Sequence, residues 1–430
     1  MKKIFNLICL FATVAATATL TGCKDEPDKY EVADGRPVVN YIRPLDPAKA
    51  DSLLDGAYMD NQICIVGENL RSVTKLLFND QEAKLVTSLI TDNTLIVTVP
   101  GNIPSEVTNK MYMINNAKDT TVYDFKVLVP GPVINSMSNE WGQIGELVSI
   151  YGNYFVNTNS QPVKVTINGK QIPNDNLEVG LQQINFLVTE DMTEGPIVVT
   201  TVYGSAKSVF NFHDTRGMLF NDWGTGDCGE KSTMLTNHGW HNMPIQTDEY
   251  SIDGAYLLLG DCDLEDGSWA DGNVSFEYWP GDWDGNFTGA DSQLSDLVSF
   301  ANWENMALKF ECNIPSSNPW NNLSMQCIFS GNDQVTLKTA NNTFFNGTDY
   351  ARGLWTPWQQ YGEYHTQGLW KTITLPLADF KYKNDGTPAS NPLTQKNFTG
   401  LTLFIWSGVT SGKTCHPIIR IDNVRAVAIK

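Results

Sequence analysis

Hydrophobic and polar residues alternate in short runs along most of the chain, and Gly, Asn, Asp and Pro separate the runs. Alternation over about four to eight residues predicts a β-strand with one buried face, and the residues between the runs predict tight turns. In the first half the clearest runs are residues 63–66, 95–99, 163–167 and 197–202. No long segment has the roughly 3.6-residue period of an amphipathic helix. The pattern therefore predicts an all-β protein.

Two segments of the first half resemble one another. Residues 65–70 (Ile-Val-Gly-Glu-Asn-Leu) and then Asn79-Asp80 correspond to residues 150–155 (Ile-Tyr-Gly-Asn-Tyr-Phe) and then Asn168-Gly169. We expect each glycine to end a strand and each Asn-Asp or Asn-Gly pair to close a hairpin. The offset of 85 residues between the glycines suits a small immunoglobulin-like sandwich. The pattern resembles the IPT/TIG family, whose members are spacers or interaction modules, and predicts Ig-like domains at 37–129 and 130–214.

The second half has the same strand pattern with a different composition. Its alternating runs predict two packed sheets, and they are residues 307–314, 323–329, 371–377, 401–406 and 418–429. About 215 residues suffice for one jelly-roll-like β-sandwich, which we place at 215–430. Residues 420–424, Arg-Ile-Asp-Asn-Val, resemble the closing strand of many carbohydrate-binding jelly rolls.

The first residues predict export and lipid anchoring. Lys2 and Lys3 precede an apolar run that is too short to span a membrane as a helix. The run ends at Leu20-Thr21-Gly22-Cys23, which resembles a bacterial lipobox. We therefore expect a signal peptide at 1–22 and acylation of Cys23, followed by a tether at 23–36 whose spacer-like composition continues to residue 47. An ordinary signal cut nearby is the alternative.

The composition limits the possible partners. Removal of Lys2 and Lys3 leaves 27 basic against 48 acidic residues, and so strongly anionic a surface disfavours nucleic acid. Residues 24–26, Lys-Asp-Glu, resemble the export signal of Bacteroidota lipoproteins, which implies the outer membrane with the protein facing the cell exterior.

Six cysteines remain after the signal and the lipid site, and none has zinc-ligand spacing. Cys64, Cys312 and Cys327 lie in apolar runs and are interpreted as small core residues. Cys228 and Cys262 form one possible disulfide pair, which the sequence leaves open. We expect no cofactor, with a structural calcium ion left open.

Acidic side chains form two clusters in the second half. Asp282, Asp284 and Asn286 imitate the start of an EF-hand loop but lack its glycine and glutamate at the required positions. A second cluster includes Asp261, Asp263, Glu265 and Asp266, and it is interpreted as a solvated turn.

Eleven of the twelve tryptophans lie between Trp223 and Trp406. Indole faces stack on the C–H patches of sugar rings, so this concentration indicates a glycan ligand for the C-terminal domain. Three segments have rings interrupted by Pro, Gly and polar residues, which predicts exposed loops. The proposed glycan-binding residues are Trp279, Trp283, Trp320, Trp355, Trp358, Tyr361 and Tyr364. The alternative is that these rings anchor the loops onto the sandwich. Three other tryptophans, Trp303, Trp370 and Trp406, are expected to lie in the core.

Catalysis is the competing class of function. A glycoside hydrolase needs two carboxyl groups about 5 to 10 Å apart. Candidates for such a pair are Asp282, Asp284, Glu304, Glu311 and Glu363. The chain has neither a G-x-S-x-G elbow nor an HExxH motif, so we expect a protein that is not an enzyme.

The order of lipobox, tether, two Ig-like domains and a Trp-rich domain resembles the surface glycan-binding lipoproteins of Bacteroidota polysaccharide utilization loci. The segment at 355–359, Trp-Thr-Pro-Trp-Gln, leading to residues 370–380 carries most of the likeness. The resemblance implies that the C-terminal domain binds a polysaccharide, with xyloglucan, mixed-linkage glucan and β-1,3-glucan as candidates. It also implies Ig-like spacers and a neighbouring outer-membrane glycan importer. An adhesin or structural surface protein remains the alternative.

Overall fold

The computed structural model describes residues 30–49, 51–158, 161–221, 223, 245–267, 274–278, 293–331, 349–406 and 409–430. The chain divides into two compact units between Pro130 and Gly131. Both units consist mainly of antiparallel β-sheets, so the predicted all-β class is confirmed. Among the described residues, no helix combines the length and apolar character needed to cross a membrane.

The first unit contains two main sheets. Its strands are β1 (Val38–Pro44), β2 (Gly56–Tyr58), β3 (Gln62–Glu68), β4 (Val73–Phe78), β5 (Gln81–Glu82), β6 (Thr94–Thr98), β7 (Lys110–Asn115), β8 (Thr120–Asp124) and β9 (Lys126–Leu128). One sheet has the order β1-β3-β6 and the other β5-β4-β7-β8, while β2 and β9 form a parallel pair. Strand β7 alternates half-buried and buried residues, so Met111 and Met113 enter the core.

Strand β1 corrects the expected extent of the tether. The composition predicted a spacer as far as residue 47, but Val38–Pro44 pairs antiparallel with β3. Ile42 of this strand is only 1% exposed. Pairing with β3 and burial of Ile42 stabilise an extended segment that its proline and polar content alone would not order.

The second unit begins with another sandwich, the second Ig-like domain. Its strands are β10 (Val133–Met137), β11 (Leu147–Asn153), β12 (Lys164–Ile167), β13 (Lys170–Gln171), β14 (Leu177–Val179), β15 (Gln183–Leu187), β16 (Gly195–Thr201) and β17 (Gly204–Phe212). The sheet orders are β10-β11-β15-β14 and β13-β12-β16-β17. Strand β16 alternates buried and half-buried residues, and its Ile197 and Val199 enter the core between the sheets.

The repeated glycines occupy equivalent positions in the two Ig-like sandwiches. Gly67 and Gly152 lie one residue before the ends of β3 and β11, as predicted. A Cβ atom at Gly67 would lie 1.9 Å from the carbonyl oxygen of Val38, and one at Gly152 would lie 1.9 Å from that of Val133. In both places the neighbouring strand has a register shift that brings its backbone close. Glycine is required at both positions because its hydrogen leaves room for that backbone.

The repeated asparagines form the predicted hairpins. Phe78 pairs with Gln81 and Ile167 pairs with Lys170, so two residues connect the strands in each case. Asn79 has φ 54° and Asn168 has φ 48°, in the left-handed region that asparagine tolerates better than most residues. The likeness between the two segments is therefore structural as well as sequential.

The rest of the second unit is the C-terminal domain, a larger sandwich. Its elements are β18 (Met218–Phe220), β19 (Ile245–Gln246), β20 (Tyr256–Gly260), β21 (Ser275–Tyr278), α1 (Leu294–Leu297), β22 (Met306–Asn313), β23 (Met325–Ser330), β24 (Gly353–Trp355), β25 (Lys371–Pro376), β26 (Gly400–Ile405) and β27 (Ile418–Ala428). The larger sheet has the order β19-β20-β27-β22-β25, with β18 also paired to β27. The smaller sheet has the order β21-β26-β23-β24.

Short 3-10 helices connect strands throughout the described chain. They are Pro47–Lys49, Leu70–Ser72, Thr87–Leu89, Asn174–Asn176, Trp303–Asn305, Pro357–Gln359, Leu377–Asp379 and Gln395–Asn397. The five runs predicted as strands in the second half correspond to β22, β23, β25, β26 and β27.

The predicted burial of three cysteines is confirmed, whereas the predicted disulfide pairing is untested. Cys64, Cys312 and Cys327 are buried core residues, as predicted. Burial raises the pKa of the Cys327 thiol to about 12, so this thiol is inert at neutral pH. Cys228 lies outside the described residues, and its pairing with Cys262 stays a prediction.

Candidate functional site

Three tryptophans predicted to lie on exposed loops are in the core of the C-terminal domain. Trp320 is fully buried, Trp358 is 5% exposed and Trp355 is 9% exposed. The Trp320 and Trp355 rings meet edge to face with centroids 5.3 Å apart, and the Phe310 and Trp355 rings also meet edge to face, with centroids 5.4 Å apart. The prediction that these three indoles form an exposed platform is therefore wrong. They instead anchor their segments onto the sandwich, which was the alternative.

Hydrogen bonds explain how polar segments place these rings inside. The Trp320 Nε1 donates to the Asn322 carbonyl at 2.6 Å, and the Trp358 Nε1 donates to the Leu323 carbonyl at 2.9 Å. Each buried indole N–H thus has an acceptor, which removes the main cost of burying it. Pro357 starts a 3-10 helix that turns Trp358 inward. Polar and proline neighbours are equally compatible with a loop and with this inward turn.

The remaining proposed ring residues have different positions. Tyr364 is partly buried against Trp355, with ring centroids 5.8 Å apart, and burial raises the pKa of its phenol. Tyr361 is 78% exposed and stays a candidate contact residue. Trp279 and Trp283 lie outside the described residues and stay predictions.

The three tryptophans expected in the core also differ. Trp303 and Trp406 are half-buried and pack against the core cluster, which agrees with the prediction. Trp370 is half-buried but lies on the outer side of the larger sheet, where its ring meets that of Tyr256 at 6.0 Å. Its expected core position is wrong because it precedes β25 at the sheet edge.

The outer side of the larger sheet carries an aromatic surface, the outer aromatic patch, defined by Tyr250, Trp370 and Arg420. Tyr250 is 43% exposed, and the Arg420 guanidinium lies 3.9 Å from its ring centroid. The Trp370 Nε1 donates to the Tyr250 carbonyl at 2.8 Å. The patch therefore presents an exposed ring on an ordered support.

The sequence contained one signal for this patch that pattern analysis missed. Ile419 and Ile421 of β27 face the core, so the intervening Arg420 must face the other side of the sheet. Tyr250 gives no comparable signal, because it precedes β20 in a segment without alternation.

A buried ionic cluster lies further along the same side, between the C-terminal domain and the second Ig-like domain. This joint cluster comprises Glu140 from the Ig-like domain and Lys309, Glu311 and Arg425 from the sheet, all at most 4% exposed. Arg425 donates from Nη1 to Glu311 Oε2 and from Nη2 to Glu140 Oε2, both at 2.7 Å. Lys309 Nζ also donates to Glu140. Two carboxylates thus balance two cations.

Backbone and hydroxyl groups complete this contact. The Thr372 N–H donates to the Ser138 carbonyl at 3.0 Å, and the Glu140 N–H donates to Thr372 Oγ1 at 2.6 Å. Burial alone would lower the pKa of Arg425, but Glu311 and Glu140 outweigh it and hold that pKa above its usual value. Arg425 therefore remains charged over the whole physiological range of pH.

Two further acidic features have distinct environments. Asp422 of β27 is fully buried, and burial, reinforced by Asp253, raises the pKa of its carboxyl to about 8. Asp261 and Asp263 flank His416, whose Nδ1 lies 2.9 Å from Asp263 and whose Nε2 lies 3.3 Å from Asp261. Asp261 and Asp263 belong to the acidic cluster that was interpreted as a solvated turn. They pair with His416, which lies two residues before the start of β27. These hydrogen bonds raise the pKa of His416.

Known protein families match both parts of the second unit. Residues 132–213 match the model of the IPT/TIG domain, and residues 212–428 match that of the surface glycan-binding protein B xyloglucan binding domain. The crystal structure of the surface glycan-binding protein PbSGBP-B from Prevotella bryantii is similar, with 39% sequence identity and a TM-score of 0.85. The similarity covers 93% of this chain and 100% of that one. The chain belongs to the surface glycan-binding protein B family.

Membership of this family confirms the resemblance that the motifs indicated. A further relative is an IPT/TIG domain-containing protein of Bacteroides ovatus, 26% identical over 225 residues. That match covers 48% of this chain and 45% of the relative, so the chain spans less than half the length of this curated relative.

Proposed function

We propose that this member of the family captures a β-linked glucan, with xyloglucan as the first candidate, at the cell surface. The match of residues 212–428 to a xyloglucan-binding domain model carries the proposal. The whole C-terminal sandwich lies within that range. The acidic surface of the chain is compatible with a neutral polymer and disfavours phosphate-bearing ones.

The protein acts without catalysis in this proposal. Glu311, one of the carboxyl groups considered for a hydrolase, accepts hydrogen bonds from Arg425 and Thr372 and has no solvent exposure. It is thus unable to approach a glycosidic bond. Glu304 and Glu363 are exposed, and Asp282 and Asp284 lie outside the described residues.

Anchoring and partners extend the proposal beyond the binding domain. Acylation of Cys23 would attach the chain to the outer membrane, facing the exterior, beside a glycan importer. Each stacked ring contributes about 1 kcal/mol, so a few rings give micromolar to millimolar affinity. Many anchored copies on one long polymer would compensate for weak single contacts. The absence of a cofactor, with structural calcium open, stays a prediction.

Affinity gel electrophoresis of the chain from Lys24 onward tests the proposal. The gels contain xyloglucan, mixed-linkage glucan, β-1,3-glucan, mannan, pectin or starch. We expect retardation by xyloglucan, or by another β-glucan, without shortening of the polymer after long incubation. Retardation by none of the six would favour the adhesin alternative, and shortened polymer would identify a hydrolase.

A further inference from the structure

Three separate segments of the C-terminal domain bring the outer aromatic patch together. Tyr250 precedes β20, Trp370 precedes β25, and Arg420 lies within β27. Leu369, beside Trp370, is 52% exposed and extends the apolar surface. Exposed aromatic and aliphatic side chains in one place indicate a binding surface more often than isolated ones do.

Arg420 contacts the ring of Tyr250, and hydrogen bonds fix the Tyr250 backbone at both its N–H and its carbonyl. Arg420 supports the ring, and its own Nη1 donates to Asn313 Oδ1 at 2.9 Å. The Tyr250 N–H donates to Asp248 Oδ1 at 2.9 Å, and its carbonyl accepts from Trp370. The Tyr256 hydroxyl donates to the other Asp248 oxygen at 2.9 Å, which fixes this carboxylate.

The exposed part of the Tyr250 ring is available to a ligand. Tyr250 lies outside the core cluster and is 43% exposed although its backbone is fixed. An ordered tyrosine loses little conformational entropy when a flat partner covers it. The C–H face of a pyranose is such a partner, and its hydroxyl groups are matched by the exposed carboxylate of Asp248.

The patch also lies beside the second Ig-like domain. Thr372, two residues after Trp370, donates its N–H to Ser138 of that domain. The segment that carries Trp370 therefore also contacts the second Ig-like domain.

From this geometry we propose that Tyr250, positioned by Trp370 and Arg420, forms a glycan-contacting surface in addition to the Trp279 and Trp283 segment. The occupant is a neutral β-linked glucan, so this inference rests on the proposed function. Tyr250 makes the ring contact, whereas Arg420 and Trp370 position it.

Isothermal titration of the chain from Lys24 onward with xyloglucan oligosaccharide tests this surface. We expect Tyr250→Ala to weaken binding about fivefold, because one ring contact is lost. Tyr151→Ala is the matched control, since Tyr151 is 40% exposed on the second Ig-like domain and should leave binding unchanged. Tyr250→Phe keeps the ring and should retain most of the affinity.

The possible outcomes separate the two proposals. Binding by the unaltered chain with equal affinity for Tyr250→Ala overturns the patch and leaves the function intact. No binding by the unaltered chain in the titration, together with no retardation by any β-glucan in the affinity gels, overturns both. If Tyr250→Ala lowers the melting temperature, Tyr250→Gln removes the ring while keeping a long polar side chain, and the same fivefold loss is expected.

Discussion

The two faces of the larger sheet in the C-terminal domain bury their residues in opposite ways. On the inner face Leu308, Phe310 and Cys312 of β22 pack into the hydrophobic core. On the outer face Lys309 and Glu311 of the same strand are equally buried, but in the joint cluster. All eight residues of β22 are buried although their polarity alternates. An alternating strand can therefore be covered on both faces when the second cover supplies matching charges.

The inner face should dominate stability. We expect Trp320→Ala to lower the free energy of unfolding by about 3 to 5 kcal/mol, because it leaves a cavity and the Asn322 carbonyl without its donor. All twelve tryptophans lie beyond Pro130, so their fluorescence in urea reports on the second unit alone. Tyr361→Ala, at an exposed ring, is the control and should change stability by less than about 0.5 kcal/mol. Equal midpoints for both variants would contradict the burial of Trp320.

A substitution in the joint cluster on the outer face should cause the next largest loss of stability. Glu140→Ala leaves Lys309 and Arg425 with one carboxylate between them, and we expect a loss of about 3 kcal/mol. The same urea titration measures it. Glu190→Ala is the control, because Glu190 is an exposed carboxylate in the same Ig-like domain. A loss no larger than that of the control would show that the domains are not held together by this cluster.

The buried carboxyl of Asp422 should make the sheet sensitive to pH. Its folded pKa of about 8 exceeds the unfolded value, so the folded state binds the proton more tightly. Stability should therefore fall as pH rises from about 4 toward 8, because the unfolded chain releases this proton at a lower pH than the folded one. Asp422→Asn should remove much of this dependence and melt higher than the unaltered chain at pH 8. Parallel melting curves across this range for both proteins would refute the assignment.

The exposed pairs around His416 should have the smallest effect. Hydrogen bonds to Asp263 and Asp261 raise its folded pKa above the usual 6.5. Their stabilising contribution is complete below the unfolded pKa and disappears as pH rises through the folded one. Titration of the His416 ring signals by NMR measures the folded pKa. Asp263→Asn should shift it down, and an unshifted value would mean that the side chains do not pair in solution.

Strand positions in this protein could be predicted from sequence, but the exposure of rings could not. Alternation identified β22 and β27, and the repeated glycines identified two equivalent sandwiches. Both signals could be found because a strand and its turn are determined by residues that are close together in the sequence. The position of Trp358 depends on the Leu323 carbonyl, 35 residues away in the chain. The Tyr250 patch depends on Arg420 in the same way. Contacts between segments that are distant in the sequence produce no periodic pattern from which they could be predicted.

The paired glycines have a consequence for how this chain can evolve. Any other residue at Gly67 or Gly152 would bring a carbon to 1.9 Å from a carbonyl oxygen, so such variants fail at folding before ligand affinity is tested. Selection at these two codons is thus blind to the polysaccharide. We therefore expect substitutions that alter polysaccharide recognition to lie in the last domain and not at these two codons.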